Sequence, residues 1–207
     1  MITLYQRTDC PFCWKVRLAL AELALPFNPV EVGLGEVNPQ VKQLSPTGTV
    51  PVLVDAGVII WESSVMLEYL HDKCATSTLL PDVAAQAARV RSLHAYSDKC
   101  VGPALRDLVF EKRSTTTAKW NKQLIADSEQ RWLQCQDYLE VQLGQADYFG
   151  GTAFSMADCA LAARFGVAEA YGAAVDQRHP ALVSWYTRVQ AGDTWQQAYP
   201  LGFISST

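Results

Sequence analysis

The 207-residue chain reads as an α/β domain followed by an all-α domain. Three observations carry that expectation. Strand and helix patterns alternate over roughly the first 75 residues. A polar, small-residue stretch closed by proline follows, Ala75 to Pro81. Every periodic segment beyond it is helical. The boundaries that result are 1–75 for the mixed domain and 83–207 for the helical one.

Ile2-Thr3-Leu4-Tyr5-Gln6-Arg7 is β-branched and aromatic, suits a strand, and stops at the polar Thr8-Asp9. From Phe12 the apolar residues fall at Phe12, Val16, Ala19, Leu20 and Leu23, which predicts a helix with one buried face. Pro11 suits its first position, where an N–H would go unpaired anyway. Pro26 closes that helix, and Phe27 to Val32 reads as a strand that Pro29 confines to an edge or delays. Asn38 to Leu44 is a short helical candidate, and Ser45-Pro46-Thr47-Gly48 is a turn. Val50 to Val54 and Val58 to Trp61, separated by Ala56-Gly57, form a hairpin pattern. Val65, Met66, Tyr69 and Leu70 mark the next helix, with Lys73 near its negative end. The order β-α-β-α-β-β-α is that of a thioredoxin-like domain with helices on both faces of a mixed sheet.

Helical periodicity then runs from Val83 to Phe110, Ser114 to Leu143, Ser155 to Ala170 and His179 to Gln190. Ser155 and Asp158 have capping-box spacing, and Phe154 with Cys159 offers a hydrophobic staple.

Composition narrows the function classes. With 49% hydrophobic and 18% charged residues the chain is not disordered. A net charge of -4, with no basic run longer than Lys112-Arg113, leaves no footprint for nucleic acid or an anionic membrane. No apolar stretch nears the roughly 18 residues of a membrane span, and Met1-Ile2-Thr3-Leu4 lacks the charged start of a signal peptide. The expected location is cytoplasmic.

Of the six cysteines, Cys74, Cys100, Cys135 and Cys159 stand singly in apolar or helical sequence and read as small packing residues. The other two form Cys10-Pro11-Phe12-Cys13. Cys10 sits just before a helix, where unpaired N–H groups and the dipole favour a thiolate below the free value of about 8.5. The competing reading is a capping cysteine without chemistry. Cys13, three residues on, is either a resolving thiol or a core residue. Zinc held by both cysteines with His71 and Cys74 is disfavoured by the apolar Pro11-Phe12 filling, and no metal is expected. Glu62 and Ser63 start a helix, where they cap it or receive an anion.

Taken together, the Cys10-Pro11-Phe12-Cys13 turn, Val50-Pro51, Glu62-Ser63 and Ser155-x-x-Asp158 resemble the cytosolic glutathione transferase superfamily in order and spacing across essentially the whole chain. The turn looks most like the cysteine-type members, the omega-like transferases and two-domain glutaredoxins. The resemblance implies a homodimeric, glutathione-dependent thiol transferase or reductase, with glutathione as cosubstrate and a small electrophile or disulfide as second substrate. It implies Cys10 as nucleophile, Cys13 as supporting or resolving thiol, and glutathione held by Phe12, Val50, Pro51, Glu62 and Ser63, with the Val50-Pro51 bond cis. Many relatives have Lys or Gln where this chain has Thr49, which leaves Lys42 or Gln43 as partners for the glycyl carboxylate. By the same resemblance the second-substrate pocket comes from Tyr96, Lys99, Cys100, Pro103 and Phe203. Ser155 and Asp158 are structural, worth on the order of 1 kcal/mol per cap. The same architecture also serves non-catalytic regulators of the stringent-starvation type, which generally lack the cysteine turn. A conjugating transferase is a further alternative.

Overall fold

The computed structural model describes residues 1–33, 38–114 and 116–200. Four strands, β1 (Ile2–Gln6), β2 (Phe27–Glu31), β3 (Val52–Asp55) and β4 (Val58–Ile60), form one sheet in the order β2-β1-β3-β4. β1 runs parallel to β2 and antiparallel to β3, and β3 is antiparallel to β4. Pro29 lies in the edge strand β2, where a missing N–H is tolerated. β3 begins at Val52 and not at the expected Val50, because Pro51 has no N–H to give to the ladder. The hairpin turn takes positive φ at both central residues, 48° at Ala56 and 87° at Gly57, the geometry that matches strand twist.

Three helices accompany the sheet: α1 (Pro11–Glu22), α2 (Pro39–Leu44) and α3 (Ser63–Lys73). The Asn38 side chain caps α2 by accepting the N–H groups of Gln40 and Val41. α1 differs from its expected single buried face, since every residue from Cys13 to Leu20 is buried, Lys15 and Arg17 included. The cause is a short helix that no periodicity announces, α9 (Asp193–Ala198), which packs on α1 while α3 packs on it as well. Trp195 of α9 meets Trp14 at 4.7 Å between ring centroids, and Tyr199 stands edge-on to Trp14. Thr194 Oγ1 donates to Glu22 at 2.7 Å.

The chain divides into two compact units, residues Met1–Leu80 with the segment from Ala191, and residues Pro81–Gln190. Within the stretch expected as a linker, Leu79 and Leu80 are buried. The second unit contains only helices as regular elements among the described residues: α4 (Ala84–Tyr96), α5 (Gly102–Ser114), α6 (Lys122–Leu143), α7 (Met156–Ala170) and α8 (Pro180–Ala191). A π-helical turn, Ser97–Val101, joins α4 to α5, so the first helical run continues to Ser114, past the expected Phe110. α6 starts at Lys122, later than the expected Ser114, because Asn121 Oδ1 accepts the Leu124 N–H at 3.1 Å and fixes the helix start there.

α7 is the buried axis of this unit, and its first turn forms the expected capping box. The Asp158 carboxylate accepts five hydrogen bonds, from the N–H groups of Phe149, Gly150 and Ser155, from Ser155 Oγ at 2.7 Å and from Trp185 Nε1 at 2.8 Å. Burial pushes its carboxyl up, against the pull of those donors. The fold is thus a four-stranded mixed domain followed by an all-helical one.

Candidate active site

Sheet topology gathers the site. β1 and β4 both run out at the end of the sheet where β3 begins, because each is antiparallel to β3. At that end β1 leads into the turn carrying Cys10, Val50-Pro51 lead into β3, and β4 leads through Trp61 to Glu62 and Ser63. Three of the segments singled out in the sequence therefore converge on one end of the sheet, although Cys10 and Ser63 lie 53 positions apart in the chain.

The turn itself presents the thiol. Cys10 is extended (φ -84°, ψ 121°), its N–H donates to the Arg7 carbonyl at 3.1 Å, and its carbonyl accepts the Trp14 N–H at 2.9 Å as the first bond of α1. Pro11 occupies the first helical position and Cys10 makes no side-chain capping hydrogen bond, while the N–H groups of Phe12 and Cys13 at this helix start favour charge on its sulfur. The Cys13 thiol donates to the same sulfur, and its own sulfur accepts the Arg7 N–H at 3.4 Å.

The two thiols divide one proton between them unequally. Cys10 is lowered to about 6, first by the Cys13 hydrogen bond, then, against the opposing effect of burial, by the helix N–H groups and the charge of Arg7. Cys13 is raised well above the ordinary thiol range by burial and by the neighbouring thiolate. Of the two, Cys10 is therefore the more acidic thiol and Cys13 the one that holds its proton more tightly. Both residues are buried, Cys10 at 7% exposure and Cys13 fully enclosed.

Around it, the Val50-Pro51 peptide bond is cis, and the Val50 side chain packs with Val32, Val41 and Val52. Glu62 is the exposed N-cap of α3 and its side chain makes no capping hydrogen bond, while Ser63 beside it is buried. Phe12 is exposed, with Lys15 Nζ 5.2 Å from the ring centroid. Ahead of Val50, the hydroxyls of Ser45, Thr47 and Thr49 form a chain with 2.8 Å steps, while Lys42 and Gln43 are exposed. His71 Nδ1 bonds Ser77 Oγ at 2.9 Å, and among the described residues no three His, Cys, Asp or Glu side chains gather as metal ligands.

In the helical unit, Tyr96, Cys100 and Pro103 line a common open groove of about 590 Å³ with Cys135. Lys99 is exposed but does not line it, and Phe203 falls outside the described residues. Cys100 departs from its expected packing role, since the π turn directs it to the surface, whereas Cys135 and Cys159 are buried. Burial and the bond between the Tyr96 hydroxyl and Cys135 raise the Tyr96 phenol above its usual range.

Residues 4–78 match the glutathione S-transferase N-terminal domain family, and residues 110–193 match the glutathione S-transferase C-terminal domain family. The chain belongs to the cytosolic glutathione S-transferase superfamily. Within it, the similar proteins are functionally mixed. A probable glutathione S-transferase, parC, of Nicotiana tabacum is 28% identical over 91% of this chain and 85% of its own. A stringent starvation protein A homolog of Haemophilus influenzae is 25% identical over 72% and 71%. The solved structure of FzlA from C. crescentus superposes with a TM-score of 0.87 at 25% identity, covering 95% of this chain and 91% of that one.

For this transferase-fold chain, sequence reading missed two contributors to the thiol site. One is Arg17, buried in α1 beyond Cys13; a cation in the run Val16-Arg17-Leu18 was its signal. The other is α9, whose six residues are too short to show a period.

Proposed function

We propose that the protein is a glutathione-dependent thiol transferase that works through the Cys10 thiolate. The observation that carries this reading is the position of Cys10 at a helix start, hydrogen-bonded by Cys13 and lowered to about 6. Roughly 90% of it would then be thiolate at pH 7.

In the first step that thiolate attacks the glutathionyl sulfur of a mixed disulfide R–S–S–G. The S–S bond breaks, R–S⁻ leaves and takes up a proton, and Cys10 carries a glutathionyl disulfide. The thiolate of a second glutathione then attacks the glutathionyl sulfur, releasing oxidised glutathione and returning the electron pair to Cys10. Net, one mixed disulfide is reduced to its thiol R–SH, and its glutathionyl half leaves joined to the second glutathione as oxidised glutathione. Cys13 stays protonated throughout and acts as a hydrogen-bond donor, so it supports the nucleophile without resolving the intermediate.

Glutathione would be seated by the elements that converge on the same sheet end. The N–H groups at Ser63 suit the γ-glutamyl carboxylate and Glu62 its ammonium group. The backbone of Val50 beside Pro51 suits the cysteinyl peptide as an added strand, and Phe12 flanks the thiol. The hydroxyl chain ending at Thr49 offers polar partners for the glycyl end. Tyr96, Cys100 and Pro103 offer a groove for the small electrophile or disulfide. Exposed Val58, Ile59, Trp61 and Val65 favour a second copy of the chain as partner, a homodimer. A reducing cytoplasm suits six cysteines that form no disulfide.

A paired assay tests the reading: wild type and Cys10→Ser, each with glutathione and either a small disulfide or an aryl halide. Disulfide reduction that vanishes in the variant supports it. Aryl-halide conjugation retained without Cys10 would point to a conjugating transferase. Similarity to FzlA and to a stringent starvation protein A homolog favours a second reading, a non-catalytic partner-binding protein. Absence of turnover together with absence of glutathione binding in calorimetry would establish that one instead.

A further inference from the structure

Arg17 is 7% exposed in the middle of α1. Its guanidinium donates to three neutral oxygens: Gln6 Oε1 at 2.9 Å, the Thr8 carbonyl at 3.0 Å and the Ala198 carbonyl at 3.1 Å. No carboxylate among the described residues contacts it. The nearby carboxylates are engaged elsewhere. Glu31 accepts from Gln6 Nε2 at 2.6 Å and from Thr8 Oγ1 at 3.0 Å, and Asp9 pairs with Arg7 at 2.5 Å. The Gln6 amide thus lies between a buried cation and an anion, bonding one with its oxygen and the other with its nitrogen, and keeps them apart.

A buried cation without a counter-ion is costly, and an apolar side chain would fill the same volume at lower cost. The charges and titratable groups that act on Arg17 are Cys13, Glu31, Cys10 and Asp9, with Cys13 the strongest, and Arg7 adds a second positive charge on the Cys10 side. Its carbonyl partners are the turn that leads into Cys10 and the last residue of α9.

We propose that Arg17 is a positioning residue of the thiol site, a cation held one helical turn beyond Cys13 by Gln6, Thr8 and helix α9 so that its unneutralised charge supports the shared thiolate. This rests on the reading of Cys10 as the nucleophile. It makes α9 a functional part of the site: the Ala198 carbonyl completes the cage that keeps the guanidinium in place without neutralising it.

The test is the rate of Cys10 carboxamidomethylation by iodoacetamide on the full chain, followed from pH 4 to 10 by peptide mass spectrometry. Wild type is expected to show a midpoint of about 6. Arg17→Gln, which keeps polar donors but loses the charge, should raise that midpoint by about one pH unit. Arg17→Lys, which keeps the charge, should hold it within a few tenths of wild type. A merely structural role would move melting temperature in both variants but not separate their pH profiles. A folded Arg17→Gln protein with the wild-type midpoint, or equal displacement in both variants, overturns the inference and leaves the Cys10 reading intact. A wild-type midpoint near 9 overturns the Cys10 reading, and the inference falls with it. Should Arg17→Gln not fold, Gln6→Glu carries the test by placing a carboxylate against the guanidinium. Its midpoint should rise, and an unchanged one overturns the inference.

Discussion

Replacing Cys13 by alanine removes the largest influence that lowers Cys10, the thiol hydrogen bond to its sulfur. A hydrogen bond to a charged group contributes about 1.5–3 kcal/mol, and about 1.4 kcal/mol corresponds to one pH unit. The Cys10 midpoint should therefore climb from about 6 to roughly 7–8. The helix N–H groups and Arg7 remain and prevent a full return to the ordinary thiol value. At pH 6.5 the thiolate fraction would fall about 3- to 25-fold, while at pH 9 it would hardly change. Disulfide reduction falls less steeply, because a more basic thiolate is also the better nucleophile. The assay is the pH dependence of Cys10 alkylation and of disulfide turnover, wild type against Cys13→Ala. Near-wild-type turnover at pH 9 with a clear loss at pH 6.5 fits a donor role. A variant midpoint still at about 6 would refute the reasoning, since the helix start alone would then make the thiolate.

Three other perturbations follow from the same contacts. Folded Cys10 binds fewer protons than unfolded Cys10 between about pH 6 and 9, so unfolding free energy should rise with pH across that window, and Cys10→Ser should flatten the rise in urea titrations followed by tryptophan fluorescence. Asp158→Ala leaves the N–H groups of Phe149, Gly150 and Ser155 and the Trp185 indole without their acceptor; a loss of about 3–5 kcal/mol, or roughly 10 °C in calorimetry, is expected, with glutathione chemistry of the surviving native fraction unchanged. Trp195→Ala empties the contact with Trp14 and should cost about 3–5 kcal/mol, with amide exchange accelerating first across residues 193–198.

Local signals made most of the fold legible. Pro11 and Pro26 bracket α1 because proline is tolerated in the first turn and disruptive beyond it, and the two-residue Ala56-Gly57 turn between apolar runs marks a hairpin. The capping spacing of Ser155 and Asp158 is local for the same reason, both partners lying within one turn. Where the reading erred, a distant partner decided. The burial of Arg17 involves α9, some 180 residues further along, and periodicity within α1 cannot register it. The surface position of Cys100 depends on a π turn, which shifts the helical phase that a regular period assumes.

The sequence by itself determined the order of elements, the two kinds of domain and the placing of a Cys-x-x-Cys turn at a helix start, because those are properties of neighbouring residues. Only the tertiary structure decided which of the two thiols is the more acidic. Burial of Cys13, the hydrogen bond it directs at Cys10 and the charge of Arg7 act on the sulfur only once the chain has folded. Proton affinity is set by the dielectric and the charges within a few ångströms of the sulfur, and distance in space, not in sequence, selects them.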